Sequence, residues 1–168
     1  ISECLVGSEM CIRDRYKRQA LGFVRAEPED TEALRRLARA SEAHWGYDEA
    51  FMENFDAGFN VTEDFIRRNP VYAAGERGCP AAFWGIRQDR DAWELEYFYV
   101  AEERLGRGLG KQMWEHMTGW CEKKEICRIH FVTSPQAVGF YRKMGAVRDG
   151  ETRSPVDGRP VPHFVYDV

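Results

Sequence analysis

The chain has 168 residues, 31% charged and 13% aromatic, and its 28 acidic against 24 basic side chains give a formal charge of −4. A mildly acidic balance argues against a nucleic-acid binder, whose phosphate affinity needs clustered Lys and Arg, and no apolar run approaches the roughly 20 residues that span a bilayer. The expectation is a cytoplasmic protein with no membrane contact, its chain long enough for one domain with a proper core.

Residues 1–19 mix charged and apolar side chains in no structural period, and Glu9, Arg13, Asp14 and Arg15 interrupt any stretch that could serve as a signal peptide. Back-translated, residues 5–15 resemble a transposase sequencing adapter read in frame, and Tyr16-Lys17-Arg18-Gln19 matches the tail of the same adapter in another frame. We therefore read residues 1–19 as a cloning or assembly scar and residues 20–168 as a single domain. Cys4 and Cys11 fall in the scar, leaving Cys79, Cys121 and Cys127, an odd number without disulfide-framework spacing. Reduced thiols in a cytosol fit that count. Cys121, Cys127 and His130 have the spacing of no common zinc site and apolar neighbours, so they are expected in the core and no metal is expected.

In chain order, residues 21–25 read as a short strand, and Pro28 followed by Glu29 and Asp30 announces a helix with Leu34, Leu37, Ala38 and Ser41 on one face. A second helix is expected from Asp48, with Phe51, Met52 and Phe55 as its apolar stripe. A third runs from Thr62 to Arg68, capped by the threonine hydroxyl and stopped by Asn69-Pro70. Residues 71–76, 81–88 and 92–100 are strand-like and separated by turn residues, which predicts an antiparallel meander. Residues 108–124 place Leu109, Met113, Trp114, Met117, Trp120 and Cys121 on one side of a helix. A buried strand over 127–133, a helix over 135–144 ended by Gly145, and strands at 146–148 and 164–168 complete the chain. The order predicts an α+β fold, a mixed, mostly antiparallel central sheet with helices on both faces.

The most informative segment is the turn between the third meander strand and the long helix, with Gly106, Gly108 and Gly110 in five residues. Such a turn exposes backbone N–H groups at a helix N-terminus, where they suit a pyrophosphate. Glycine is required because a Cβ would hold the phosphate away or forbid positive φ. A Walker A loop fails: Gly106 to Gly110 is one residue short and Gln112 follows Lys111. A dinucleotide fingerprint is weak, since the third glycine has the wrong offset and the preceding strands form a meander.

Residues 93–120 resemble the acetyl-CoA signature of the GNAT superfamily, a strand ending in Val, a loop of the form Q/R-x-x-G-x-G/A and a long helix. Gly108 and Gly110 match the motif glycines, and Leu105 stands where Gln or Arg is usual, flanked by Arg104 and Arg107. A second segment, residues 134–146, is similar to the family's N-x-x-A-x-x-F-Y-x-x-x-G-F, with Ser134 for Asn and Ala146 for Phe. The resemblance extends over residues 21–168. It implies an acetyl-CoA-dependent N-acetyltransferase, with the cosubstrate held by Phe98, Tyr99, Val100, Arg104, Leu105, Gly106, Arg107, Gly108, Leu109, Gly110, Lys111, Ser134, Phe140 and Tyr141. It also implies Tyr141 as the general acid for the leaving thiolate, and an oxyanion held by a backbone N–H near residues 98–100, where family strands splay apart.

An alkylamine of pKa near 10 is almost wholly protonated at neutral pH, so attack on a thioester needs a general base. Glu94 and Glu96 alternate with Trp93, Leu95 and Tyr97, which predicts both carboxylates on one strand face leading to the glycine turn. Either could be the base; the alternative is that one faces solvent or pairs with an arginine. Residues 44–47 resemble a loop that in similar sequences helps cover the acceptor pocket, which implies that Trp45 and Tyr47 wall it; the alternative is that they act as hydrophobic staples, and His44 is a further candidate base. The expected acceptor is a small amine, with a hydroxyl, a protein amino group or a noncatalytic acyl-CoA-binding role as alternatives. A homodimer is left open.

Overall fold

Adjacent strand residues such as Phe83 and Trp84 point to opposite faces, and since both are fully buried the sheet that carries them must be covered on both sides. In the computed structural model, which describes residues 22–168, helices supply that cover. The adapter-like segment lies outside the described residues. The elements are β1 Phe23–Arg25, α1 Thr31–Ala43, α2 Glu49–Gly58, α3 Glu63–Arg68, β2 Val71–Glu76, β3 Cys79–Asp89, β4 Ala92–Val100, α4 Leu109–Lys123, β5 Arg128–Val132, α5 Val138–Lys143, β6 Val147–Arg153 and β7 Pro160–Asp167. Short 3-10 turns, Pro28–Asp30, Glu102–Arg104 and Pro135–Ala137, precede α1, the glycine turn and α5.

The seven strands run in the order β1-β2-β3-β4-β5-β7-β6, and every pair is antiparallel except β4 with β5. Leu34, Leu37, Phe51, Met52, Phe55 and Ile66 of α1–α3 pack with Phe83 and Tyr97 in one core. Met113, Trp114, Met117 and Cys121 of α4 pack with Trp84, Leu95 and Ile129 in the other. Local chemistry fixes the helix starts: the Asp48 carboxylate accepts from the Phe51 N–H and the Thr62 hydroxyl from the Phe65 N–H, each satisfying an amide the helix cannot.

Three sequence expectations change. Cys127, expected in the core, is exposed, while Cys121 is buried and its thiol is pushed up to about 12 by desolvation. β6 and β7 are far longer than the stretches expected at 146–148 and 164–168, because β6 is an edge strand exposed along its whole length and shows no alternation to read. The third concerns β4. A bulge between Gly85 and Ile86 of β3 pairs Gly85 with Tyr97 and Ile86 with Leu95, leaving Glu96 as the extra residue. Leu95 therefore joins the α4 core and Tyr97 the α1–α3 core, so the simple alternation expected for Glu94 and Glu96 is broken at Glu96. Gly85 permits the kink, since a Cβ there would lie 3.1 Å from Phe65 and 3.2 Å from Tyr97.

Candidate active site

The parallel pairing of β4 with β5 consists of Trp93 with Ile129 and Glu94 with His130. Beyond Glu94 the two strands part, so the β5-facing backbone groups of residues 95–100 have no strand to bond. A cavity of about 630 Å³ opens in the gap. Its walls are the C-terminal half of β4, the glycine turn, residues 131–134 at the end of β5 and just beyond it, Phe140 and Tyr141 of α5, the end of α1 and start of α2, and the loop joining β6 to β7.

At one end lies the glycine turn. Gly106 and Gly108 adopt φ +70° and +86°, and a Cβ on either would meet nothing within 4 Å. Gly108 caps α4, whose first ladder bond is donated by the Gln112 N–H to the Gly108 carbonyl, so the amides of Leu109, Gly110 and Lys111 precede the ladder. Gly110 is needed for a different reason: its Cβ would lie 3.3 Å from the Phe140 ring, which packs against the turn. Phosphate groups fit this cradle of outward amides, aided by the helix dipole. Arg104, Leu105 and Lys111 line the same end of the cavity, whereas Leu109 turns into the α4 core and Arg107 is not part of the wall.

Tyr141 stands in the cavity wall with only 6% of its surface exposed. Burial holds its hydroxyl well above the usual tyrosine range, partly offset by a hydrogen bond with Thr133. It is neutral and carries its proton at physiological pH. Phe98, Phe131 and Phe140 surround its ring, with Phe131 at 4.6 Å. Phe98, Tyr99, Val100 and Ser134 also line the cavity.

Of the two β4 glutamates, Glu96 reaches the cavity and Glu94 does not. Both are held by one arginine that the sequence pattern did not single out: Arg87 Nη2 lies 2.7 Å from Glu94 Oε2, and its Nε 3.0 Å from Glu96 Oε2. Desolvation raises the Glu96 carboxyl, against the pull of Arg87. Its side chain is still 32% exposed, so the effect is a bias toward the protonated form rather than exclusion of the charged one. Arg87 was findable in principle: the two-residue turn Arg90-Asp91 pairs Asp89 with Ala92, and counting back sets Arg87 opposite Glu94.

The far end is aromatic and charged. Trp45 and Tyr47 are both in the wall, with Phe51 and Phe55 of α2 and Phe59 just past its end. The Tyr47 and Phe51 rings are 4.1 Å apart. His44 faces away to Glu102, with Nδ1 3.1 Å from Oε1. Two charged residues that sequence reasoning passed over, Glu42 and Arg159, complete this end, and Gln136 is a further lining residue that it missed. Glu42 lies at an ordinary helix position, and Arg159 belongs to a loop with no periodicity, so neither left a local signal.

A sheet split between its fourth and fifth strands, with a glycine-capped helix at the mouth and a buried tyrosine at the fork, is the arrangement that an acyl-CoA-dependent transferase calls for. Residues 31–146 match the family model of the acetyltransferase (GNAT) family, and the chain belongs to that family. It is an acetyltransferase, and its cosubstrate is acetyl-CoA. A 5-NmdU N-acetyltransferase of Pseudomonas phage PaMx11 is 24% identical over 130 residues, covering 76% of this chain and 88% of the phage protein. The fold is shared with the PaiA N-acetyltransferase of Thermoplasma acidophilum, solved in complex with coenzyme A, at TM-score 0.69 and 18% identity over 89% of this chain and all of that one. It is shared also with the ribosomal-protein-S18-alanine N-acetyltransferase of Escherichia coli, at TM-score 0.66 and 17% identity over 89% and 94% of the two chains.

Among the described residues, no helix is long and apolar enough to cross a membrane.

Proposed function

We propose that the protein transfers acetyl to the nitrogen of a small amine by direct attack within this cavity. The observation that carries the reading is the continuity of one cavity from the glycine turn, past Tyr141 and Glu96, to the aromatic end. Bound acetyl-CoA supplies an acetyl thioester open to attack by a neutral amine. The amides ahead of the α4 ladder grip its diphosphate, with Arg104, Lys111 and Ser134 beside them. The free β4 edge beyond Glu94 offers backbone hydrogen bonds to an extended pantetheine arm, and an N–H of residues 98–100 to the developing oxyanion.

Glu96 takes the proton from the ammonium, directly or through water. Its bias toward higher pKa makes it a better base once ionised than an ordinary carboxylate. Arg87 limits that bias and fixes the carboxylate's position. Tyr141 gives its proton to the sulfur as the C–S bond breaks and is reprotonated, directly or through water, by the second proton that the acylated nitrogen sheds. Aromatic walls at the acceptor end suit a small molecule, whose burial excludes water from the thioester.

Because Glu96 must be ionised to act, activity rises with pH through its elevated pKa and is lost below it. Glu96→Gln is expected to lower kcat/KM at neutral pH by about 10²-fold, with Glu94→Gln costing less than about tenfold. Equal losses in steady-state kinetics would return the base to the pair as a whole.

Binding to the native state raises stability by RT ln(1 + [L]/Kd), about 2.7 kcal/mol at a ligand concentration of 100 Kd. Acetyl-CoA should therefore raise Tm in a thermal-shift measurement, and ATP and NAD should not. We propose further that residues 20–168 form a single acetyltransferase domain and that residues 1–19 add nothing to it, so a chain starting at Ala20 should show the same shift. A shift by ATP alone would overturn the cosubstrate site, and insolubility of the shortened chain would overturn the scar reading.

A further inference from the structure

We propose that the acceptor is an amine that also carries an anionic group, with Arg159 receiving the anion while Glu42 draws the ammonium end toward Tyr141. This rests on the cavity being the acceptor's binding place, as argued above.

Arg159 is presented by a stiff loop. The Ser154 N–H donates to the Arg159 carbonyl at 2.7 Å, the Gly158 N–H to the Ser154 carbonyl at 2.8 Å, and the Arg159 N–H to Asp157 Oδ1 at 3.2 Å. The guanidinium lies 4.3 Å from the centroid of the Tyr47 ring and 5.0 Å from that of Phe51, held on two aromatic faces at the cavity's far end. Asp157 Oδ2 lies 3.5 Å from Nε, which is buried without a hydrogen bond from the protein, and among the described residues no other carboxylate forms an ion pair with the guanidinium. Beside it the Tyr47 hydroxyl is buried without a hydrogen-bond partner from the protein. A buried hydroxyl left in that condition costs stability, and an anion accepting from both Tyr47 and Arg159 removes the cost.

Glu42 supplies the opposite pole. It lines the same cavity and accepts from the Tyr99 hydroxyl at 2.9 Å. Burial raises its carboxyl, while the Tyr99 hydrogen bond and the charge of Arg159 lower it, and an ammonium group beside it favours the ionised form. Among the described residues no ion pair within 4.0 Å joins Glu42 to Arg159. Two opposite charges that face one cavity without neutralising each other directly are complementary to a molecule bearing both signs.

Thiol release from acetyl-CoA tests this with amino carboxylates of increasing length, each matched to its carboxamide and to the amine bearing a phosphate monoester. At least one anionic member should exceed its amide by tenfold or more in kcat/KM, mostly through KM. Arg159→Gln should abolish that preference with kcat little changed, and Arg159→Lys should restore part of it. Both variants should keep the acetyl-CoA thermal shift, which shows them folded. A larger preference for the phosphate than for the carboxylate supports the assignment and names the anion. Equal turnover of acids and amides by the unaltered protein, or an equal loss on both in Arg159→Gln, overturns this inference and leaves the amine reading intact. No thiol release with any amine overturns both.

Discussion

Tyr141→Phe is expected to lower kcat by about 10²-fold or more while leaving the acetyl-CoA thermal shift nearly unchanged, the signature of an interaction made in the transition state alone. The thiolate that leaves has a parent pKa of about 8.5, and a proton delivered to it as the bond breaks removes a charge that the apolar fork around Phe98, Phe131 and Phe140 solvates poorly. Tyr141 is the buried hydroxyl in that fork, and burial keeps it protonated well past neutrality. Phenylalanine keeps the ring contacts and deletes the oxygen. The residual structural cost is one hydrogen bond with Thr133, on the order of 1 kcal/mol. Stability is therefore nearly preserved, and single-turnover kinetics separate chemistry from binding. Unchanged kcat would remove Tyr141 from the reaction.

Gly108→Ala should abolish most of the acetyl-CoA shift. Alanine at φ +86° costs about 1–2 kcal/mol of backbone strain, equivalent to roughly 2–8 °C in Tm for a domain of this size. That loss alone says nothing about ligand binding, so a control is needed. Gly78, at φ +84° in the β2–β3 hairpin, carries the same strain with open space around it and lies outside the cavity. Gly78→Ala is expected to lose comparable stability and keep the full ligand-induced shift. At Gly108 the added methyl stands where the diphosphate must approach the amides of Leu109 and Gly110. A Gly108→Ala protein that still responded fully to acetyl-CoA would mean that the diphosphate is gripped elsewhere.

Local chemistry makes much of this protein legible in its sequence. Helix starts at Asp48 and Thr62 depend on side chains bonding amides three residues away, and the stripes of α1, α2 and α4 depend on a period that packing only confirms. The glycine turn is legible for the same reason, since positive φ and bare amides are properties of consecutive residues. The edge strand β6, with no buried face, carries no comparable signal.

What only the tertiary structure decided is how residues far apart in the chain share one cavity. The parting of β4 from β5 after Glu94 is a matter of register between strands that a helix separates, and no local pattern encodes it. The bulge that singles out Glu96 on β4 exists only in its pairing with β3, and the arginine that restrains both glutamates is brought opposite them by a hairpin. Glu42 and Arg159 line one cavity only because the β6–β7 loop and the end of α1 are brought to it from opposite ends of the chain. The sequence by itself determined a turn suited to a diphosphate, which is local backbone geometry, and carried the family resemblance that implies acetyl-CoA; the acceptor's chemistry belongs to contacts between distant segments, which exist only once the sheet has formed.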